Sequence, residues 1–373
     1  MRIVLTHPFC WPYVRRGTER FLHELGRWLT TRGHDVTTVS MRPDSGVVET
    51  TEVGRRILHA QVSSPMLQRL RIQPVHSFGL ACLGTLLDLD ADVVHSLFYT
   101  DWFAAGLVKI WKRNRLVLQM NGIPVPAVLH RRWPPERWLV RSALRRHDHL
   151  IVCSRFVADG FVRYYGVEPE VVHCPVNADE FAFGGGPPDE EPTLLAVADF
   201  DVPRKGVRVL VRAFARVKRD VPALRLRLSG RMSEATRDGV LGDLPDAVRR
   251  DIELLGLGDP GDVPRQYREA TLFVLPSMWE PSGGVMLEAW ASGTPVVATR
   301  HGGLPEFVTE DVGVLFDPGS DGEEATNDEG LAHAIRAGLE LASSPGVRKR
   351  CRAHAERFSW PVLGPVFEGV YAG

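Results

Sequence analysis

Lysine is scarce in this chain of 373 residues: five lysines stand beside 40 arginines. The bias is that of a GC-rich genome and carries no function by itself, but it makes each lysine noticeable. Cysteine is sparse as well. Cys10, Cys82, Cys153, Cys174 and Cys351 are scattered, odd in number and without metal-ligand spacing. That argues against a structural zinc and points to a reducing cytoplasm. No apolar run approaches the ~18 residues that span a bilayer, and the opening MRIVLTHPF breaks too early for a secretory signal. Excess charge of either sign is also missing, with a net charge of -1. Residues 1–183 carry 23 Lys+Arg against 17 Asp+Glu and the remainder 22 against 29, so the first half is +6 and the second -7. That asymmetry is weak ground for an anionic partner and none for a nucleic acid. No internal repeat is visible.

The length suits two domains of ordinary size. Arg2 to Thr6 reads as a buried strand, Thr18 to Thr31 as a helix closed at Gly33, and Asp35 to Ser40 as a second strand, a β-α-β opening of a parallel sheet. Further strands are expected at Asp92–His95, Leu116–Gln119, His149–Cys153 and Glu170–His173. The glycines, prolines and acids of Gly184 to Pro192 mark a linker. A second series follows: strand to Ala198, helix through Val207 to Lys218, strands Arg225–Ser229 and Ile252–Leu255. The fold class is therefore α/β, with two Rossmann-like, doubly wound domains over 1–183 and 184–357. Asp317 to Gly330 reads as an acidic surface loop, and a helix follows from Leu331 to Ala342.

Chemistry concentrates in Thr271 to Glu306, TLFVLPSMWEPSGGVMLEAWASGTPVVATRHGGLPE, which reads as strand, loop, helix, turn, strand. The helix start at Gly283-Gly284-Val285 offers backbone N–H groups with no bulky side chain in front, which suits a phosphate. Glu288 falls among Val285, Met286, Leu287, Ala289, Trp290 and Ala291. A helix apolar nearly all round should be buried, so this carboxylate needs partners and could grip hydroxyls.

The run EPSGGVMLEAWASGTPVVAT, preceded by LFVLPSMW and followed by HGGLPE, resembles the nucleotide-sugar signature of retaining family-4 glycosyltransferases of the GT-B fold, whose two domains face a cleft. GTERFLHELGRWLTTRGHDVTTVS is similar to the family's amino-terminal glycine loop and helix, with the glycine pair reduced to Gly17 after Arg16. VVHCPVNADEF is similar to its interdomain junction, with Pro175 and Asn177 in place of a glycine and an aspartate. The end of the chain, 358–373, resembles the terminal helix that packs back on the first domain.

The resemblance implies a metal-independent transferase, without a cofactor, that moves a sugar from a nucleoside diphosphate, uridine first, to a small-molecule, saccharide or lipid acceptor. Arg204 and Lys205 would neutralise the diphosphate, although the family's arginine after the preceding strand is here Asp199. Glu288 would hold the ribose and Glu280 the donor sugar. Gly283, Gly284 and Val285 would give backbone contacts, with Ser277 and Glu306 lining the site. On the first domain, His95 would end a strand facing the cleft, and Asn121 stands where the family often has histidine. Trp11, Tyr13, Phe98, Tyr99 and Trp102, in loops beyond strand ends with Arg16 and Gly17, would form the acceptor floor.

Other readings compete. Gly256-Leu257-Gly258-Asp259-Pro260-Gly261 matches the dinucleotide fingerprint, but no acid ends the next strand. A nucleotide-sugar epimerase or hydrolase, or a noncatalytic nucleotide-sugar-binding protein, would share the fold. Arg131 to His147, with six arginines, two tryptophans and one glutamate, reads as a solvated helix face, with peripheral membrane contact the less favoured alternative.

Overall fold

The computed structural model describes residues 1–42, 46–61, 74–122, 134–184, 191–319 and 324–373. Parts of three segments singled out above, 131–133, 185–190 and 320–323, lie outside the described residues. Two compact units emerge, one of Met1–Pro175 with Leu363–Gly373 and one of Val176–Val362.

In the first unit β1 (Arg2–Thr6), β2 (Asp35–Arg42), β3 (Val47–Thr51), β4 (Gly54–Ala60), β5 (Val93–Ser96), β6 (Arg115–Met120), β7 (His149–Val152) and β8 (Glu170–Val171) form one sheet. Its order is β3-β4-β2-β1-β5-β6-β7-β8. The pairs are parallel except for the β3–β4 hairpin, with Val4 opposite Thr37 on one side and Val94 on the other. The central strands read as unbroken apolar runs because both faces are covered. Their cover comes from helices α1 (Gly17–Thr31), α2 (Pro74–Asp88), α3 (Tyr99–Trp111), α4 (Pro134–Leu144) and α5 (Arg155–Tyr165). Helix α1 turns Phe21, Leu22, Leu25 and Leu29 inward, one apolar stripe at helical spacing.

The second unit holds β9 (Thr193–Val197), β10 (Arg225–Ser229), β11 (Ile252–Gly256), β12 (Leu272–Leu275), β13 (Val296–Thr299) and β14 (Gly313–Phe316). They lie in the order β11-β10-β9-β12-β13-β14, all parallel. Its helices are α6 (Val207–Val217), α7 (Glu234–Leu241), α8 (Asp246–Arg249), α9 (Val263–Glu269), α10 (Gly284–Ala291), α11 (Asp328–Ala342) and α12 (Val347–Glu356), followed by α13 (Trp360–Ala372), whose last part belongs to the first unit. There Phe367 meets Phe21 at 5.6 Å between ring centroids, and Gly364 lies against Trp28 so closely that a Cβ would stand 2.3 Å from the indole.

Strand order reverses between β1 and β5 in one unit and between β9 and β12 in the other. Loops leaving the carboxyl ends of such strands open a crevice, which is where doubly wound sheets bind ligands.

Candidate active site

In the second unit the loops after β9 and β12 are stitched together. The Met278 N–H donates to the Arg204 carbonyl at 2.7 Å, and an Arg204 Nη1–H donates to the Trp279 carbonyl at 2.9 Å. The guanidinium also lies 4.4 Å from the Trp279 ring centroid, a cation–π contact. Gly206 follows the short turn Pro203–Lys205 with φ at +72°, and a Cβ there would stand 2.3 Å from the Pro276 carbonyl oxygen. Only glycine allows the two loops this approach.

Glu280 sits in the crook. It is 7% exposed, and its Oε1 accepts from Lys205 Nζ at 2.5 Å and Arg204 Nη1 at 3.1 Å. Burial pushes its pKa up, but Lys205 and Arg204, with the adjoining Ser277 hydroxyl, more than offset that and hold it below the ordinary glutamate value. The carboxylate is therefore ionised at neutral pH, in a site with two cations and one anion. Ser277 is fully enclosed, so it does not line the surface as expected.

Beside Glu280, Gly283 caps α10 with φ at +65°, and a Cβ there would strike Leu304 at 2.4 Å. Gly284 faces open space, with no heavy atom within 4 Å of where a Cβ would be. The first-turn amides of a helix lack intrahelical partners and favour an anion. Val285 is partly exposed, and Glu306 is exposed on the turn Leu304–Glu306.

Glu288 departs from expectation. It is half-buried, not buried, because α10 turns this position away from the packed side that holds Met286, Leu287, Ala289 and Trp290. Its Oε2 accepts from the Tyr267 hydroxyl at 3.0 Å. Tyr267, on α9, is fully buried and was not singled out from sequence, since it stands 21 residues from its partner. Arg231 was missed for the same reason: it pairs with Asp199 at 2.7 Å across the ends of β9 and β10. The acid that replaces the family's arginine is thereby neutralised.

The dinucleotide fingerprint follows β11, the edge strand, and not the first strand beside the point of reversal where such a loop would meet a dinucleotide.

In the first unit several expectations are corrected. Tyr99 and Trp102 lie on α3, not in a loop. Trp102 is fully enclosed, its indole N–H donating to the Ser96 carbonyl at 3.2 Å, and Tyr99 is 7% exposed. Large apolar surface at the start of a helix that covers a sheet is claimed by the core before any ligand. His95 is enclosed within β5, hydrogen-bonded to the Tyr371 hydroxyl of α13 at 2.7 Å. Burial brings its pKa down to about 3, so it is a neutral packing group. Phe98 remains partly exposed, edge-on to His7 at 5.3 Å. Trp11 is partly exposed below Arg20, and Tyr13 is exposed beside Arg42. Arg16 pairs with Glu19 at 2.9 Å and stacks on Phe9, and Gly17 opens α1 with free space around it. Asn121 accepts from the Gln119 amide at 2.8 Å just past β6.

Sequence reading also missed Asp101 on α3. This carboxyl is fully buried, accepts from the Ser96 hydroxyl at 2.7 Å and from Thr6, and ties the ends of β1 and β5 together. Burial pushes its pKa up to about 7, against the two hydroxyls.

Residues 15–180 match the family described as Glycosyltransferase Family 4, and residues 191–340 match Glycosyl transferases group 1. The chain is 26% identical over 398 residues to the phosphatidyl-myo-inositol mannosyltransferase of Propionibacterium freudenreichii subsp. shermanii, covering 100% of this chain and 94% of that protein. Among solved structures it resembles the sucrose-phosphate synthase of Thermosynechococcus elongatus, with a TM-score of 0.80, 21% identity and coverage of 100% and 99%. It also resembles Anabaena HepE solved with UDP-glucose, with a TM-score of 0.72, 17% identity and coverage of 100% of both chains. The chain belongs to the family-4 glycosyltransferases and has their GT-B fold of two Rossmann-like α/β domains.

Proposed function

We propose that this glycosyltransferase moves a hexosyl group from a nucleoside diphosphate sugar, a uridine one first, to an acceptor hydroxyl, with retention of anomeric configuration and with neither metal nor cofactor. One observation carries the reading: Glu280 bridged to Lys205 and Arg204 at the reversal of strand order, beside the glycine start of α10. The HepE complex supports placing uridine first.

In this reading the diphosphate takes over Lys205 and Arg204, which releases Glu280 to accept hydrogen bonds from the donor sugar. Glu288, steadied by Tyr267, receives the ribose hydroxyls. As the bond from the anomeric carbon to the phosphate oxygen breaks, negative charge grows on the leaving phosphate. The two cations and the α10 amides face that charge, and losing one such group typically slows turnover by roughly 10²–10³. The acceptor hydroxyl attacks on the leaving-group face, and its proton passes to the departing phosphate. The acceptor, a small molecule, saccharide or lipid, is supplied from the first unit, whose partly exposed Trp11, Tyr13, Phe98 and Arg16 are the candidates. The reaction is placed in the cytoplasm.

The test is the product itself. Proton NMR of the glycoside should show the donor's own anomeric configuration, turnover should survive EDTA, and Lys205→Ala should lose roughly 10²-fold in kcat. An inverted anomer, or activity lost to EDTA and restored by manganese, would contradict the reading.

A further inference from the structure

Asp199 stands just past β9, on the loop that leads to Lys205, and an unpaired carboxylate there would repel a diphosphate. Arg231 neutralises it, but the geometry of the pair goes further than neutralisation requires. The guanidinium meets Asp199 side-on: Nε donates to Oδ1 at 3.3 Å and Nη2 to Oδ2 at 2.7 Å. Nε also lies 3.7 Å from Asp201. One edge of the guanidinium fork is thereby occupied, and Nη1, at its end, makes no hydrogen bond or ion pair among the described residues. The Arg231 and Asp199 side chains are 59% and 39% exposed. An ion pair this exposed adds little to stability, so stability does not account for the arrangement.

The backbone beneath the pair is fixed. Strands β9 and β10 stay hydrogen-bonded past their ends, the Ala198 N–H donating to the Ser229 carbonyl at 3.0 Å and the Phe200 N–H to the Arg231 carbonyl at 2.8 Å. Between them Gly230 has φ at +136°, and a Cβ there would stand 1.8 Å from the Ala198 carbonyl oxygen. Only glycine lets the chain enter Arg231 this close to the loop after β9. Asp201 is engaged elsewhere: its Oδ1 accepts from the Ser233 N–H at 2.9 Å, the Ser233 hydroxyl at 2.7 Å and the Thr236 hydroxyl at 2.6 Å, at the start of α7. Asp199 is therefore the residue that orients Arg231.

Two tight turns in succession join Asp199 to Lys205. The Val202 N–H donates to the Asp199 carbonyl at 3.2 Å and the Lys205 N–H to the Val202 carbonyl at 2.9 Å. Each turn brings its ends within about 7 Å, so Asp199 and Lys205 stand at most about 14 Å apart on one rim of the sheet. Glu280 takes up one of the two positive charges of Lys205 and Arg204, which leaves less positive charge there than a diphosphate brings negative. The end of a guanidinium offers paired N–H donors that match a phosphate.

We propose that Arg231 is a third cation of the donor site: Asp199 holds it side-on, and its open end binds a phosphate of the nucleoside diphosphate. This role rests on the donor site proposed above and adds to it a residue from the neighbouring strand end, β10.

Isothermal titration calorimetry of the whole chain with UDP, GDP and ADP tests it, read on whichever of the three binds most tightly. Arg231→Ala should weaken binding about tenfold while the melting temperature stays unchanged. Arg231→Lys, which keeps the charge without the fork, should fall between that variant and the wild type. The double variant Asp199→Asn with Arg231→Ala separates phosphate binding from neutralisation, and it should remain about tenfold weaker than the wild type. Recovery of wild-type affinity in the double variant would overturn the proposal, because Arg231 would then do no more than silence Asp199. Binding lost with Lys205→Ala but not with Arg231→Ala would contradict this role alone. Binding indifferent to both, or no binding of any of the three nucleotides, would contradict the donor site on which it rests.

Discussion

Glu280 is a carboxylate kept ionised in a nearly closed site by two cations from the neighbouring loop. Its folded pKa lies below the unfolded value near 4.5, so its stabilising contribution is present above about pH 4.5 and is lost as pH falls through the depressed value. Glu280→Gln should therefore destabilise the protein by about 3 kcal/mol at pH 7, since Lys205 and Arg204 lose their partner. That deficit should shrink in urea titrations carried below pH 4.5. Tyr267→Phe removes the hydroxyl that donates to Glu288. It should leave the melting temperature nearly unchanged yet cut the preference for UDP over 2′-deoxy-UDP about tenfold in competitive binding. At this scale Glu280, Gly283, Gly284 and Glu288 were named from one continuous segment, and Arg204 and Lys205, which meet Glu280, from a second segment by family resemblance. Tyr267, Arg231 and Asp101 were not readable, because their roles exist only where the fold brings together helices or strand ends that are separate in sequence.

Among the elements, most of the parallel strands were legible from their apolar runs and α1 from its helical stripe, whereas β14 was not named. The β3–β4 hairpin was not, since VVETT and GRRILHA alternate weakly and carry charge on an exposed edge. Helix α3 was hidden by its own aromatic richness: Tyr99 and Trp102 resemble a sugar-binding loop in sequence and become core once the helix forms. The turn before α6 makes a sharper test of how loops build the site. Gly206→Ala places a Cβ 2.3 Å from the Pro276 carbonyl and demands a left-handed backbone of alanine. The conformational part alone costs about 1–2 kcal/mol, which for a unit of this size lowers the melting temperature by roughly 2–8 °C. Moving the loop also moves Lys205, so differential scanning calorimetry should show the lowered melting temperature together with a smaller stabilisation by UDP.

At the scale of the whole molecule, the repetition of one architecture was visible in the repeated strand–helix pattern, and both sheets reverse their strand order as doubly wound sheets do. The return of α13 to the first unit rests on contacts such as Phe367 on Phe21 and Tyr371 on His95, which lie hundreds of residues apart in sequence and were anticipated by family resemblance, not by pattern. The central claim is that the loops after β9 and β12 bind a nucleoside diphosphate, and thermal unfolding with UDP, GDP, ADP, dTDP and NAD at matched concentrations tests it most directly. A ligand at ~100 times its dissociation constant should add about 2.7 kcal/mol of native stability. The account predicts that one nucleoside diphosphate raises the melting temperature of the wild type and does so only weakly for Glu288→Ala and Lys205→Ala. A shift produced by NAD alone, or a diphosphate shift indifferent to both substitutions, would contradict it.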